Sequence, residues 1–479
     1  MKFYIPLLTF LLSFSVFAQV GINTVSPHPS SMLDVSSTTQ GMLTPRMTTV
    51  EKNAVASPAT GLLVFDTTLN SFQVYNGTAW VFLAEAKFRT NYKLVKSVAD
   101  LSAELAAGGG TAYRLQTNFL YEINGVVTFD FPINLNGAYI EGVDSTEDVI
   151  RHNATGALFQ GTTGGSLRNL TLSGNGRQLF NINGGPSDLL LISNSVIAGA
   201  SSVGSLSGLG TVFMSVTQYV GNTTGFTITS VPNFFISNIF WTASNSGTFM
   251  QLIGTFANLQ MNGGRIEVDA GETGINVASN PTISNNASLA QLSFVGGGTN
   301  YIQPYTIGSY PGFNFTKDWD VNCQGIPTER DQTSSANIYY GGTITTGYAQ
   351  SIINDTPVQI KSSTNFVSSN LFRFRTEDNN NDIIYEGKKR LAVQVSVSLS
   401  VRVTGSTNDF YAFAIAKNGA IVTETNSTVN IASDAQIQNV ALNGVLQLNP
   451  GDRIEVFASR LTGSGTDNLI VFSENMSVR

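Results

Sequence analysis

Apolar and polar residues divide the chain into four stretches. Residues 1–18 open with Lys2 and continue as an almost uncharged apolar run that closes on Val16, Phe17 and Ala18. A positive start, a short apolar core and a small final residue are the pattern of a secretory leader cleaved before Gln19. From 19 to 90, brief apolar runs alternate with turn residues. Leu62 to Phe65 and Phe72 to Tyr75 read as strands around a turn at Thr67 to Asn70, and Asn76-Gly77 turns the chain toward Trp80. A helical patch is expected near Val50 to Ala56. A module this small buries little apolar area alone, so Phe65, Phe72 and Trp80 need a neighbour or another chain.

Between 91 and 335 the pattern changes twice. Leu94, Val98, Leu101 and Leu105 recur at three and four residues, which predicts a helix over 92–107, stopped by Gly108-Gly109-Gly110. No Lys-Ser/Thr follows those glycines and they run from helix to strand, the reverse of a phosphate loop. Beyond them come short apolar runs punctuated by Gly and Asn. One register makes Leu170, Val196, Ile239, Ile266 and Leu292 equivalent, with Phe213 filling the longest step, as in a solenoid whose coils stack on their neighbours. Asn169, Asn194, Asn238 and Asn262 beside these positions suit turns between coils, since Asn tolerates left-handed backbone. From 336 the strands lengthen. Val393, Val395, Val397, Leu399 and Val401 alternate with Gln394, Ser396, Ser398, Ser400 and Arg402, one face dry and one wet.

Composition supports an all-β chain. Gly numbers 46 and only 12% of residues are charged, too few for the wet faces of long helices. Losing Lys2 with the leader takes the formal charge from -7 to -8, and no Lys/Arg stripe exists, so nucleic acid is not an expected partner. No later run reaches the length of a membrane-spanning helix, so no transmembrane segment is expected after cleavage. A lone Cys323 excludes an intrachain disulfide framework, and His28 and His152 lie far from it in sequence.

Three resemblances add to this reading. Gln19-Val20-Gly21-Ile22-Asn23-Thr24, Leu33-Asp34-Val35-Ser36, Gly41-Met42-Leu43-Thr44-Pro45-Arg46-Met47 and Tyr75-Asn76-Gly77-Thr78-Ala79-Trp80 resemble the N-terminal module of Bacteroidetes cell-surface proteins and of tail-fibre-like proteins from their phages. That likeness implies an attachment or spacer module. Leu101, Gly108-Gly109-Gly110-Thr111, Phe119-Leu120-Tyr121 and Ile133-Asn134-Leu135-Asn136-Gly137 look like the capping helix and opening coils of a pectate-lyase-like right-handed β-helix. Lys417-Asn418-Gly419 and Leu448-Asn449-Pro450-Gly451-Asp452-Arg453 resemble the C-terminal jelly roll of the C1q and tumour-necrosis-factor type, which implies a trimeric head.

The candidate chemistry is sparse. Between Gln178 and Gly264 the only charged residue is Asp188. Glycoside hydrolysis needs two carboxylates, and lyase chemistry needs a base with a cation beside the developing charge. Glu267, Asp269 and Glu272 with Arg265 form the best acid cluster, and odd spacing puts Arg265, Glu267 and Asp269 on one side of a strand. Glu141, Asp144, Glu147 and Asp148 form a second, turn-rich one. Asp378, Asn380 and Asp382 alternate like the start of a calcium loop, but Ile383 stands where that loop needs Gly, so calcium is the one cofactor in view. Phe234, Phe235, Phe240 and Trp241 crowd together beyond what one buried face takes, and exposed rings stack on sugars.

The expected molecule is therefore all-β: a leader (1–18), a small N-terminal β-hairpin module (19–90), a helix-capped right-handed parallel β-helix (91–335) and a jelly-roll β-sandwich (336–479). The expected function is that of a secreted or particle-surface homotrimeric adhesin or receptor-binding protein. It captures a surface glycan or cell-surface protein without turnover. The alternatives are a polysaccharide lyase or hydrolase acting on the β-helix, and a structural fibre or spike subunit.

Overall fold

The computed structural model describes residues 19–83, 89–364, 366–405 and 408–479; the leader expectation falls outside them. The chain divides into two compact units, Met1–Thr90 and Asn91–Arg479. Among the described residues no helix is long and apolar enough to cross a membrane.

In the first unit Val20–Ile22 pairs in parallel with Leu33–Val35. A second sheet joins Arg46–Met47, Leu63–Asp66, Ser71–Tyr75 and Trp80–Phe82, and its middle pair is the antiparallel hairpin expected around residues 67–70. Helix Thr49–Asn53 starts at a capping box in which Thr48 and Glu51 satisfy each other's backbone N–H groups. Burial alone would raise the pKa of Asp66. The Lys52 ammonium at 2.7 Å, the N–H groups of Leu69 and Thr68 and the Thr49 hydroxyl outweigh burial and hold it at about 2. Phe65 and Phe72 meet edge to face, yet Val20, Ile22, Met32, Leu33, Met42 and Leu43 are exposed.

The second unit opens with strand Tyr92–Val95, a 3-10 turn Val98–Leu101 and a short helix Ser102–Ala107. The helix predicted over 92–107 is thus cut to its last 6 residues, with one 3-10 turn of 4 residues before them. Asp100 accepts from the N–H groups of Lys96 and Ser97 and starts the helical turn there, while Val95 alternates into the core as a strand residue. Gly108 is the C-cap, and the position has to be glycine because a Cβ would stand 1.8 Å from the Ala112 carbonyl oxygen.

A right-handed parallel solenoid follows, with three strand faces. In the early coils the first two faces are separate strands, Tyr139–Glu141 and Val149–His152, then Gly165–Arg168 and Thr171–Ser173. Later they fuse into single strands, Leu189–Ala198, Thr211–Val220, Asn233–Trp241, Thr255–Glu267 and Thr282–Val295. Each fused strand passes the corner through a left-handed residue. The register aligns Asn169, Asn194, Val216, Asn238, Gly263 and Gln291 in one column of positive φ. Three of the four predicted asparagines stand there; Asn262 precedes the column and Gly263 takes its place. The equivalent positions after the corner are accordingly Leu170, Ser195, Thr217, Ile239, Gly264 and Leu292, which corrects Val196, Ile266 and Phe213 in the sequence register. The third face runs from Tyr113–Arg114 to Ile302–Gln303 and presents a mostly uncharged outward column, Asn134, Gln160, Asn181, Ser205, Thr227 and Gln251. The interior is continuous: one coil sends Leu190, Ile192, Ile197, Val203 and Leu206 fully inside. Cys323 belongs to this core, where burial pushes its thiol pKa up, so it packs rather than reacts.

From Ser335 on, two antiparallel sheets face each other as a sandwich of jelly-roll kind. Val367–Phe372, Ser335–Gly341, Thr466–Val478, Leu391–Thr404 and Gln438–Leu448 form one sheet. Phe374–Glu377, Asp382–Tyr385, Arg453–Arg460 and Asp409–Lys417 form the backbone of the other. Val393 to Val401 point inward at alternate positions, as predicted. Arg373, in left-handed backbone between the two sheets and fully buried, pairs with Asp331 and donates to the carbonyls of Trp319 at 2.8 Å and Glu329 at 3.1 Å. One guanidinium thereby ties the sandwich to the last coil.

Candidate functional site

On the first solenoid face, residues two apart along each strand point outward and stack coil upon coil. The register builds the column Leu120, Tyr139, Ser166, Leu191, Phe213 and Phe235. Five of these are bulky and one, Ser166, is small. The gap beside Ser166 becomes a groove of ≈ 540 Å³ between Tyr139 on one side and Leu191 and Phe213 on the other. Its floor is glycine by necessity, since a Cβ on Gly164 would sit 2.1 Å from the Leu189 carbonyl oxygen and one on Gly165 2.7 Å from that of Ala138.

Charge enters this groove at two points. Asp188 lines it and accepts from the Gly185 N–H at 2.6 Å, which orients the carboxylate in its turn. Arg168 lines it from the next outward column and meets Glu141 of the preceding coil at 3.3 Å, a half-exposed pair. Ser193 and Ser215 add hydroxyls. Rings and aliphatic side chains, hydroxyls, one carboxylate and one guanidinium thus share a wet concavity. Such a lining is chemically suited to a hydroxyl-rich ligand with apolar faces and an acidic group.

The predicted residues are distributed differently. Phe234 and Trp241 lie inside the core, packed against Phe256 and against Tyr219 and Phe249, where nothing from solvent reaches them. Phe235 joins the column above the groove, and Phe240 is 45% exposed on the second face. The left-handed Asn238 resets the alternation between them, so that Trp241 and not Phe240 joins Phe234 on the inside. Arg265 and Glu267 do share the outer side of their strand, with Ile266 and Val268 inward, and form an exposed pair at 3.1 Å. Glu272 accepts from the Asp269 N–H at 2.8 Å and so serves the backbone of its own turn. None of the four lines the groove. In the other acid cluster, buried Asp148 accepts from the N–H groups of Gly125, Val143 and Asp144, and Asp144 caps Thr146; both close turns.

The three residues read as the start of a calcium loop contact different neighbours. Asp378 pairs with Lys361 at 3.0 Å, Asn380 bonds Thr376 and the Phe366 carbonyl, and buried Asp382 accepts from the Glu377 N–H and meets Arg453 at 3.2 Å. The three side chains are committed to different neighbours. Among the described residues no group of three or more His, Cys, Asp or Glu is placed to hold a metal ion. His152 is buried, its Nε2 by the Gly156 carbonyl and its Nδ1 accepting from Ala154, and burial lowers its pKa.

Sequence reasoning missed Tyr139, Ser166, Arg168, Leu191 and Phe213 as a group, because they come together only through coil register. Asp188 carried a signal, as the one charge in a long uncharged stretch.

Residues 21–97 match the family described as a phage tail like trimerisation region. The match falls on the module whose text resembled tail-fibre-like proteins, and it supports assembly as a trimer. No curated protein matches the chain. Among solved structures, the enzymatically active domain of tailspike protein 4 from bacteriophage CBA120 is 12% identical, with 91% of this chain and 77% of that chain covered and a TM-score of 0.30. Rabbit GITRL is 9% identical over 30% of this chain and 92% of its own, with a TM-score of 0.18. The PRD1 vertex protein P5 is 12% identical over 31% and 96%, with a TM-score of 0.19. All three scores are low.

Proposed function

We propose that the chain is a subunit of a trimeric, tail-fibre-like protein that works outside the cell and engages an acidic polysaccharide in the lateral groove of its solenoid. The assignment of 19–90 to attachment and assembly, 91–335 to the solenoid and 336–479 to a distal head belongs to this proposal. The observation that carries it is the convergence of Tyr139, Phe213, Ser166, Arg168 and Asp188 on one groove from strands about a coil apart. Tyr139 and Phe213 offer faces for sugar rings, and Arg168 offers a fork for a uronate carboxylate.

Cleavage is favoured over capture without turnover. Capture of an acidic polymer uses the rings, the hydroxyls and Arg168, whereas the groove also holds Asp188, a carboxylate that can carry a proton. In this reading Arg168 neutralises the uronate carboxylate and Asp188, held by the Gly185 N–H, abstracts the proton α to it; the glycosidic C–O bond β to that carboxylate breaks as the C=C bond forms, and water protonates the leaving oxygen. Retardation of the intact protein in gels containing acidic polysaccharides tests the binding half. Retardation by at least one polymer is expected, weakened about tenfold by Phe213→Ala or Arg168→Ala, on the order of one stacked ring or one charged contact. Equal retardation of wild type and both variants would remove the groove from the account.

A further inference from the structure

Among the described residues with positive φ, Val216 is the only β-branched one. Its column neighbours are Asn194 and Asn238, which tolerate left-handed backbone, whereas a β-branched side chain there is strained. Nothing inside the solenoid explains the choice, because the Val216 side chain points outward and is 50% exposed. What valine supplies in place of asparagine is apolar outer surface.

That surface stands between two concavities. Toward Phe213 and Ser215 lies the groove already described. On the other side a second depression of ≈ 390 Å³ is lined by Ser145, Asn194, Val196, Val216, Gln218 and Phe240. Gln218 and Phe240 are register partners on neighbouring coils, so a ring and an amide stand side by side. The loop carrying Ser145 is pinned over the same corner, since Thr171 Oγ1 donates to its carbonyl oxygen at 2.6 Å. The two depressions share the strands Leu189–Ala198 and Thr211–Val220: Ser193 and Ser215 line the first, and the next residue of each strand, Asn194 and Val216, lines the second.

We propose that this depression is a second saccharide subsite, in line with the first, with Phe240 as its stacking platform and Val216 as the apolar ridge a bound polymer crosses. The inference rests on the reading of the first groove as a carbohydrate site. A half-exposed ring set among amides and hydroxyls in a concavity suits a sugar. A contact between two copies of the chain would call for a flatter and more continuously apolar face.

The test uses the full-length protein and a panel of acidic and neutral bacterial exopolysaccharides fractionated by length. Phe240→Ala and Val216→Asn are expected to weaken binding of long fractions about five- to tenfold, the range of one lost ring contact, while short fractions that fill the first groove bind unchanged. Phe213→Ala weakens both. Val216→Asn is also expected to raise the thermal midpoint by about 1–3 °C as strain is released. Unchanged affinity of long fractions for both variants overturns the second subsite and leaves the first standing. Loss of trimer mass in Phe240→Ala overturns it in favour of a chain–chain contact. Absence of binding by wild type overturns both subsites together.

Discussion

The solenoid and the sandwich that follows it bury their cores by opposite means. In the solenoid each strand pairs with the equivalent strand of the next coil, so like residues stack: apolar ones form a continuous core, and buried Asn222 bonds Asn245 one coil on. In the sandwich, strands remote in sequence pair antiparallel, and charges go inside with them. Arg460 is 4% exposed between Asp409 at 2.6 Å and Asp467 at 3.2 Å, and Glu474 lies in the interior against the Tyr348 hydroxyl. Two consequences separate the regions. A solenoid gains a concavity where a bulky column is interrupted, as at Ser166. The sandwich gains a unique pairing and a dependence on pH.

The largest effect that would break this contrast is expected from Arg460→Ala. It leaves Asp409 and Asp467 facing each other without the guanidinium and should destabilise the sandwich by about 3–5 kcal/mol. Calorimetry should show an early transition assigned to the sandwich, with the solenoid transition unmoved. Leu190→Ala, at 0% exposure in the solenoid core, removes apolar contacts and leaves a cavity, a loss of about 3 kcal/mol. Amide hydrogen exchange should rise in the flanking coils and stay unchanged in the sandwich.

Glu474 sharpens the pH side of the comparison. Burial pushes its carboxyl up to about 8, with the Tyr348 hydroxyl pulling weakly the other way. A folded-state pKa above the unfolded one means that the folded chain holds the proton more tightly. Its contribution is therefore complete below about pH 4.5 and declines as pH rises toward 8. Glu474→Gln should flatten that decline and stabilise the sandwich at pH 7 by roughly 2–3 kcal/mol, read from denaturant midpoints across pH. The smallest effect is expected at the corner column. Asn238→Ala forces a left-handed alanine and should lower solenoid stability by about 1 kcal/mol, against the gain predicted for Val216→Asn.

Legibility followed the same division. Alternation from Val393 to Val401 fixed an antiparallel strand because side-chain period two is a local property. Asn169, Asn194 and Asn238 marked the solenoid corners because left-handed backbone selects its residues locally. Val216 and Gly263 were hidden, one because valine gives no turn signal and the other because Asn262 beside it gives a false one. The helix over 92–107 was overextended because Leu94 and Val98 match a helical period that Asp100 and Ser97 interrupt. The rings at 234, 235, 240 and 241 were placed together because sequence proximity ignores the reset at Asn238. Of the groove only Asp188 was legible, as the one charge in a long uncharged stretch. Tyr139, Ser166, Leu191 and Phe213 are adjacent only once the coil lengths are known, and those vary from 22 to 28 residues between corner positions.

The central claim is that the solenoid groove acts on polysaccharide, and the molar-mass distribution of an acidic exopolysaccharide retained by the protein tests it most directly. Incubation with the wild-type trimer should shift the distribution progressively to shorter chains, whereas Asp188→Asn should bind the same polymer and leave its length unchanged. Undiminished shortening by Asp188→Asn, or a retained polymer whose length the wild type never alters, would contradict the account.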